Sequence, residues 1–354
     1  MTTPGGDKAT YHLVSVNGQQ IENIDPGLHL GKIEQDDKGD VIIRQITDKT
    51  TRSTDALLGA LSSGLYIADD EMQGVHQRRG QLQNGRDDAG GVWGRYLTNN
   101  SHVSTASGAA YRLEQNGIEL GGDTLIDAGA DRLALGLFGS FSKNNLKQDR
   151  GNSSSVNSWG AGVYATWFGA QGYYVDSVVK YNHFRTDVRS QTETGQGVRG
   201  DFTQNGLGAS LETGYRFTLP AEVFIEPYIR AAYFTADGKD VMLSNGLEAR
   251  ADRLTSIRGE AGVTAGKNVD FSNGVTVSPY VTAALENGFV HNNKVRMNDA
   301  YNFNNDFSGI TGRYGLGLTS QITRNTSVFA EADYRKGQHV ESPVMANAGF
   351  RVSF

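Results

Sequence analysis

From about residue 87 to its C-terminus the chain alternates apolar and polar residues with a period of two, stretch after stretch. The last residues show it most plainly. Val344, Ala346, Ala348, Phe350, Val352 and Phe354 share one face; Met345, Asn347, Gly349, Arg351 and Ser353 share the other. The same split sets Trp159, Ala161, Val163, Ala165 and Trp167 against Ser158, Gly160, Gly162, Tyr164 and Thr166. It recurs where Val223, Ile225, Ile229 and Tyr233 oppose Glu226, Tyr228 and Arg230, and where Val328, Ala330, Ala332 and Tyr334 oppose Glu331, Asp333 and Arg335. A helix repeats every 3.6 residues, so this pattern reads as strands with one apolar and one polar face.

Two architectures use such strands. A soluble sandwich turns the apolar face inward, and an outer-membrane barrel turns it toward lipid. Connection lengths separate them. Twelve candidate strands span roughly 89–99, 109–126, 132–143, 157–168, 173–185, 203–218, 222–237, 253–268, 274–289, 309–322, 327–335 and 343–354. The connections after the odd-numbered strands are long or polar, and those after the even-numbered ones are short, such as Gly169-Ala170-Gln171-Gly172. An even strand number with alternating long and short connections is the barrel pattern; Greek-key sandwiches have no cause to alternate. Trp167, Phe168, Tyr173 and Tyr174 flank one short turn, and Trp159, Tyr181 and Phe184 lie about a strand length away, as two aromatic girdles would. The expected fold is therefore all-β: a 12-stranded antiparallel outer-membrane β-barrel with its polar face inside. Tyr164, Glu226, Tyr228, Arg230, Glu331, Asp333, Arg335 and Arg351 are its lumen-lining candidates.

Residues 52–83 differ. They lack proline, Ser53, Thr54 and Asp55 offer an N-cap, and Leu57, Leu58, Leu61, Leu65, Ala68, Met72 and Val75 recur at helical spacing. The spacing predicts a helix of up to about 30 residues, about 45 Å long, with a polar C-terminal half. A twelve-stranded barrel falls between one filled by side chains and an open pore, and its lumen fits a helix about 10–12 Å across. The expected plug residues are Leu61, Leu65, Asp69, Asp70, Arg78 and Arg79, with the helix charges meeting Glu226, Arg230, Glu331 and Arg335. Gly160, Gly162, Gly206, Gly208, Gly312, Gly315 and Gly317 fall inside strands and are expected to admit something large against the wall and to let the sheet curve. Residues 1–51 hold short β-like stretches, Thr10–Val16, Gly27–Ile33 and Asp40–Ile46, too small to bury a core of their own.

Composition narrows the chemistry. The chain has no cysteine, which excludes disulfides and thiolate metal sites. Its net charge of −6 comes without a basic block, so no nucleic-acid partner is expected. No run is long and apolar enough for a membrane helix, and Met1 opens no apolar signal core. His183, His291 and His339 lie near loop ends, where an outer-membrane hydrolase would place its site, and Asp237-Gly238-Lys239-Asp240 reads as solvated turn charge. No cofactor, metal site or catalytic constellation is expected.

Several short motifs stand in a telling order. They are Ala89-Gly90-Gly91-Val92-Trp93-Gly94-Arg95, Gly117-Ile118-Glu119-Leu120-Gly121-Gly122-Asp123, Gly206-Leu207-Gly208-Ala209-Ser210-Leu211-Glu212-Thr213-Gly214-Tyr215, Phe224-Ile225-Glu226-Pro227-Tyr228, Ser278-Pro279-Tyr280-Val281 and the terminal Ala348–Phe354. In this order, residues 52–354 closely resemble the C-terminal translocator domain of pertactin-like autotransporters. The resemblance implies three parts: 1–51, the membrane-proximal end of a passenger; 52–86, a linker helix in the lumen; and 87–354, the barrel. It implies a monomeric barrel in a Gram-negative outer membrane, long loops outside, that exports and anchors a passenger such as an adhesin. It implies as partners the outer-membrane lipid, the barrel assembly machinery and periplasmic chaperones, with Phe350, Val352 and Phe354 as the assembly signal. Family members carry a signal peptide and a long passenger, so this chain is expected to be part of a longer protein. Some members cleave themselves between paired asparagines in the linker helix. This helix has no Asn-Asn, and the pairs at Asn99, Asn144, Asn292 and Asn304 are expected in or beside outer loops, so that cleavage is not expected. The competing readings are a diffusion porin and, less favoured, an outer-membrane hydrolase using His183 and His291.

Overall fold

The computed structural model describes residues 23–38, 40–77, 90–104, 110–272, 274–290 and 293–354. Its main body is one antiparallel sheet. The strands are β1 (Gly90–Val103), β2 (Tyr111–Ala128), β3 (Asp131–Gln148), β4 (Ser153–Phe168), β5 (Tyr173–Gln191) and β6 (Gly197–Tyr215). They continue as β7 (Val223–Ala236), β8 (Leu254–Lys267), β9 (Thr276–Gly288), β10 (Gly309–Gln321), β11 (Thr326–Gly337) and β12 (Val340–Ser353). Each strand pairs with the next, and β12 pairs with β1 from Val340↔Val103 to Ser353↔Gly91, so the sheet closes into a twelve-stranded barrel.

The strands outrun their expected ends on one side. β5 has 19 residues, whereas a membrane strand needs about 9–11. The expected long connections around 144–156 and 186–202 are mostly strand, leaving only 149–152 and 192–196 between strands. The reason is an inversion of polarity along β5 and β6. Near the short-turn end, β5 points Val175, Val179 and Tyr181 outward and buries Asp176, Lys180 and Asn182. Further along it points Arg185 and Arg189 outward and buries Phe184 and Val188. β6 does the same, with Leu211 and Leu207 outward at one end, Arg199 and Asp201 outward at the other, and Phe202 and Val198 buried beneath the latter. The charges that suggested loops are the solvated face of a collar standing above the bilayer.

Inside the barrel runs α1 (Arg52–Gln77), 26 residues and thus about 39 Å long. Its cap is Thr51, two residues before the expected Ser53–Asp55: the Thr51 Oγ1 accepts the Thr54 N–H at 3.4 Å. Arg52 lies 3.2 Å from Glu193 at the loop end, and His76 reaches Asp176 near the turn end, so α1 runs the length of the lumen. Its first half buries Ala56, Leu57, Leu58, Ala60 and Leu61 against Val188, Val198 and Phe202 of the collar.

The two long loop-end connections fold over this cluster. Hairpins Lys239–Met242/Glu248–Ala251 and Asn293–Met297/Tyr301–Asn305 pair through Ala249↔Met297 into a four-stranded cap. Val241, Leu243, Leu247, Val295 and Met297 close the apolar cluster from above. A three-stranded sheet (Asn23–Ile24, His29–Gln35, Val41–Thr50) docks here through Leu28, and His29 packs on Tyr301 and Phe303.

The in-strand glycines serve mainly the wall itself. Tyr164 lies over Gly136, Trp93 over Gly121, Phe138 over Gly162, Tyr228 over Gly262 and Tyr280 over Gly317, each pair directly cross-strand. A Cβ at any of them would overlap the ring. Gly208 is the one expected position whose added Cβ would instead meet the helix, at Met72 Sδ.

Candidate functional site

The second half of α1 carries Asp69, Asp70, Glu71, Gln73 and His76, and the inward register of the strands supplies a partner for each. Consecutive helical residues are turned by about 100°, so the three acids address different walls. Asp69 Oδ2 takes Arg258 Nη1 of β8 at 2.5 Å and Arg335 Nη1 of β11 at 3.3 Å. Asp70 pairs with Arg335 Nη2 at 3.1 Å and accepts from Asn99 Nδ2 of β1. Glu71 points the other way. It accepts from Lys180 Nζ and Asn182 Nδ2 of β5, both at 2.7 Å, and from Ser142 Oγ of β3 at 2.7 Å.

Glu71 anchors a wider network. Lys180 also reaches Glu119 at 3.1 Å, and Glu119 takes Arg95 at 2.6 Å. Arg95 Nη2 also donates to the Glu71 carbonyl at 2.7 Å, and the guanidinium crosses the helix at Gly74, where a Cβ would overlap it. Removing such groups from water costs several kcal/mol per ion, roughly, and is recovered only where each charge is paired and bonded, as these are. Two residues on, Gln73 turns its amide oxygen to Arg313 and accepts from Nε and Nη1 at 2.8 and 3.1 Å. His76 closes the series with Nδ1 2.6 Å from Asp176 and Nε2 2.8 Å from the Ser210 hydroxyl, while Thr166 donates to Asp176 at 2.5 Å.

All eight lumen-lining candidates are buried in the barrel, but most serve the wall. Arg351 pairs bidentately with Asp123 at 2.6 and 2.9 Å, and Tyr164 donates to the same carboxylate at 2.7 Å. Tyr228 and Arg230 both bond Glu260, at 2.7 and 2.9 Å; Arg313 joins Glu260 and Asp333, each at 3.0 Å. Glu331 accepts from Tyr280 at 2.5 Å, and Glu226 lies 3.8 Å from Arg216. Of the four residues expected to face helix charges, Arg335 is the one that meets a described helix acid. Arg230 bonds Glu260 across the wall, and Glu226 and Glu331 have described wall contacts with Arg216 and Tyr280, while the helix cations expected to meet them, Arg78 and Arg79, lie outside the described residues. Leu61 lies in the collar cluster and Leu65 in the next, with Tyr111 and Phe184. Arg78, Arg79 and His291 lie outside the described residues, as do Asn292, Ala89, Thr10–Val16 and the end of the expected helix.

Sequence reading missed Arg95, Glu119, Lys180, Arg258, Arg313, His76 and Asp176. The strand residues were legible as polar positions in the inward register. The histidines singled out instead are not gathered together. His183 sits beside Trp159 on the outward face and bonds Asn205 at 2.8 Å; His339 lies in the β11–β12 turn, its carbonyl taking the Ser104 N–H. Asn99 lies in β1 and Asn144 in β3, toward their loop ends, and Asn304 lies in the cap hairpin of an outer connection. Phe350, Val352 and Phe354 face outward and are exposed.

That outward face completes the site. Val92, Ile118, Leu137, Val179, Ile229 and Leu316 are all exposed on the barrel surface, a belt far larger than water-soluble monomers expose. Among the described residues no helix is long and apolar enough to cross a membrane; the crossing here is made by strands.

The comparisons with known proteins agree with this geometry. Residues 92–333 match the Autotransporter beta-domain family. Autotransporter CRAC of Citrobacter rodentium is 46% identical over 305 residues, covering 86% of this chain and 19% of that protein. The autotransporter adhesin/invasin TibA of Escherichia coli O78:H11 is 43% identical over 306 residues, covering 86% of this chain and 31% of its own length. The chain thus spans less than a third of these relatives. Among solved structures, the β domain of the Bordetella autotransporter BrkA superposes with a TM-score of 0.65 at 26% identity, covering 75% of this chain and 100% of that one. The chain belongs to the Autotransporter beta-domain family.

Proposed function

We propose that this domain carries an N-terminal passenger across the outer membrane and then holds it there, with α1 as plug and tether. The observation that carries the reading is the path of α1. It enters the closed barrel at the loop end, fills the lumen and stops near the turn end, where β1 begins. Family members reside in the outer membrane of Gram-negative bacteria with their long loops outside. A chain preceding α1 therefore leaves the barrel on the cell surface. Residues 1–51 are its membrane-proximal end, residues 52–86 the linker and residues 87–354 the barrel. TibA is named an adhesin/invasin, and a passenger of adhesin type is the class we infer. The outward Phe350, Val352 and Phe354 on the last strand suit a signal read by the assembly machinery, with periplasmic chaperones delivering the chain.

The test is made in the full gene, with signal peptide and passenger. Protease added to whole cells should remove the passenger and leave a membrane fragment containing α1 and the barrel. A passenger that stays protected inside intact cells would sink the reading. The porin alternative is met by planar-bilayer conductance. Deleting residues 52–77 should turn a small conductance into a large one; an equally open pore in both forms would favour the porin.

Ser210, His76 and Asp176 are bonded in the order of a hydrolase triad. All three are buried, and His76 belongs to the helix that occupies the space above Ser210. We read the trio as a clasp on the helix end rather than a catalyst. Stoichiometric labelling of Ser210 by a fluorophosphonate would overturn that.

A further inference from the structure

We propose that the outward face of the arc β11–β12–β1–β2–β3 binds one phosphorylated, multiply acylated glycolipid of the outer leaflet. Two features lie one above the other on this arc. The upper is a single cross-strand row at the loop end. Lys336 pairs in register with Glu341, Glu341 with His102, His102 with Arg112, and Arg112 with Lys147. Neighbouring strands are about 4.8 Å apart, so the row is about 19 Å wide. Three permanent cations and a histidine stand along it. Arg112 Nε donates to His102 Nε2 at 3.0 Å, Lys336 lies 3.5 Å from Glu341, and Lys147 lies 2.7 Å from Glu114 one step below. Both lysines remain more than half exposed, so their ammonium groups stay available to a phosphate.

The lower feature is a groove of about 550 Å³ in the apolar belt. Ala330, Ala332, Ala346 and Ala348 make its floor, with Leu316 on one bank and Tyr96 on the other. Its volume lies in the range that holds a small ligand. From Ala332 to Lys336, and from Thr98 to His102, is four residues, or about 13 Å along a strand. That is less than half of a hydrocarbon layer about 30 Å thick, so row and groove belong to the same leaflet. A lipid with its phosphate on the row lays an acyl chain along the groove. On the neighbouring strands β8–β10 the loop-end surface turns apolar, with Ile257, Phe289 and Ile310 exposed. Beyond β3 the loop end is cationic again, where Arg189 and Arg199 pair in register and point outward. The groove lies under the β11–β1 part of the row, and it is there that phosphate and acyl chain are held together. The loop end faces the outer leaflet, where multiply acylated, phosphorylated glycolipid is the lipid that offers both phosphate and several chains.

The test is native mass spectrometry of the whole chain released from detergent. It is titrated separately with bisphosphorylated lipid A, with the same lipid after phosphatase treatment, and with phosphatidylglycerol. One lipid A adduct should persist, and the other two lipids should bind about tenfold more weakly, the scale set by roughly one lost contact per cation. Arg112→Glu with Lys147→Glu, and separately Ala332→Trp, which fills the groove, should each weaken lipid A by a similar factor. Lys267→Glu at the turn end should leave it unchanged. The unheated gel mobility of each variant reports that the barrel is folded, and the charge variant carries the test if the tryptophan is not accommodated. Equal retention of all three lipids, or binding that neither variant moves, would overturn the proposal; preference for phosphatidylglycerol would overturn the glycolipid assignment.

Discussion

The two ends of the barrel solve the same packing problem with opposite chemistry. Near the short turns the wall is apolar outside and polar inside, and the helix meets it through Asp69, Asp70, Glu71, Gln73 and His76. In the collar the wall is charged outside and apolar inside, and the helix meets it through Leu57, Leu58 and Leu61. One helix thus crosses from a water-soluble type of core into the interior of a membrane barrel. The difference teaches what the surrounding medium does. Where lipid covers the outside, the outward residues must be apolar, and the sequence has only the inward positions left for polar groups. Where water covers the outside, the ordinary hydrophobic arrangement returns.

The largest expected effect comes from breaking the turn-end half. Lys180→Met leaves Glu71 and Glu119 buried without their shared cation, and should destabilise the folded barrel by about 4 kcal/mol in urea titrations in vesicles. Adding Glu71→Gln should recover part of the loss, because the stranded charge is then removed. Next comes the collar. Leu61→Ala opens a hole in the apolar cluster and should cost about 3 kcal/mol, read as faster amide exchange in the first half of α1. The boundary itself is sharpened by a pair on β5. Val179→Arg places a charge against lipid and should cost about 2–4 kcal/mol, whereas Arg189→Val in the collar should change stability by under about 0.5 kcal/mol. An arginine tolerated at Val179 would erase the distinction between the halves.

The smallest effect lies at the outer surface. Burial pushes the Asp25 carboxyl above its ordinary range, against the pull of the Glu193 N–H that it accepts at 2.5 Å. An acid whose folded value is raised binds its proton more readily folded than unfolded. Its contribution to docking is therefore present at low pH and lost as pH rises from the ordinary value of about 3.9 through the raised one. Protease resistance of residues 23–50 should show a small matching decline over that interval, and Asp25→Asn should flatten it.

Much of this was legible beforehand. Period two and the alternating connections predict the closed twelve-stranded barrel, because strand faces are set by local alternation and the closing partners by strand number. The helix was legible from Leu57, Leu61 and Leu65. Its cap was not, because Thr51 and Ser53 are chemically equal candidates and only the chain path selects one. The collar was hidden because Asp187 and Arg189 read as loop when lipid is assumed on every outward face. The network around Glu71 was hidden for another reason. Which inward residue meets which depends on barrel stagger and on the rotation of α1, and neither is local. Lys180, Glu119 and Arg95 come from three strands, and no spacing along the sequence brings them together.

The orientation of α1 within its ring of partners has a mechanical consequence. A pull on Arg52 from the cell surface acts along the helix axis, while the bonds of Asp69, Asp70, Glu71, Gln73 and His76 run outward to the wall. Such a load is shared in shear by all of them at once, so none can yield first and pass its burden to the next. The joint resists tension as a riveted seam does, whereas a zipper fails tooth by tooth.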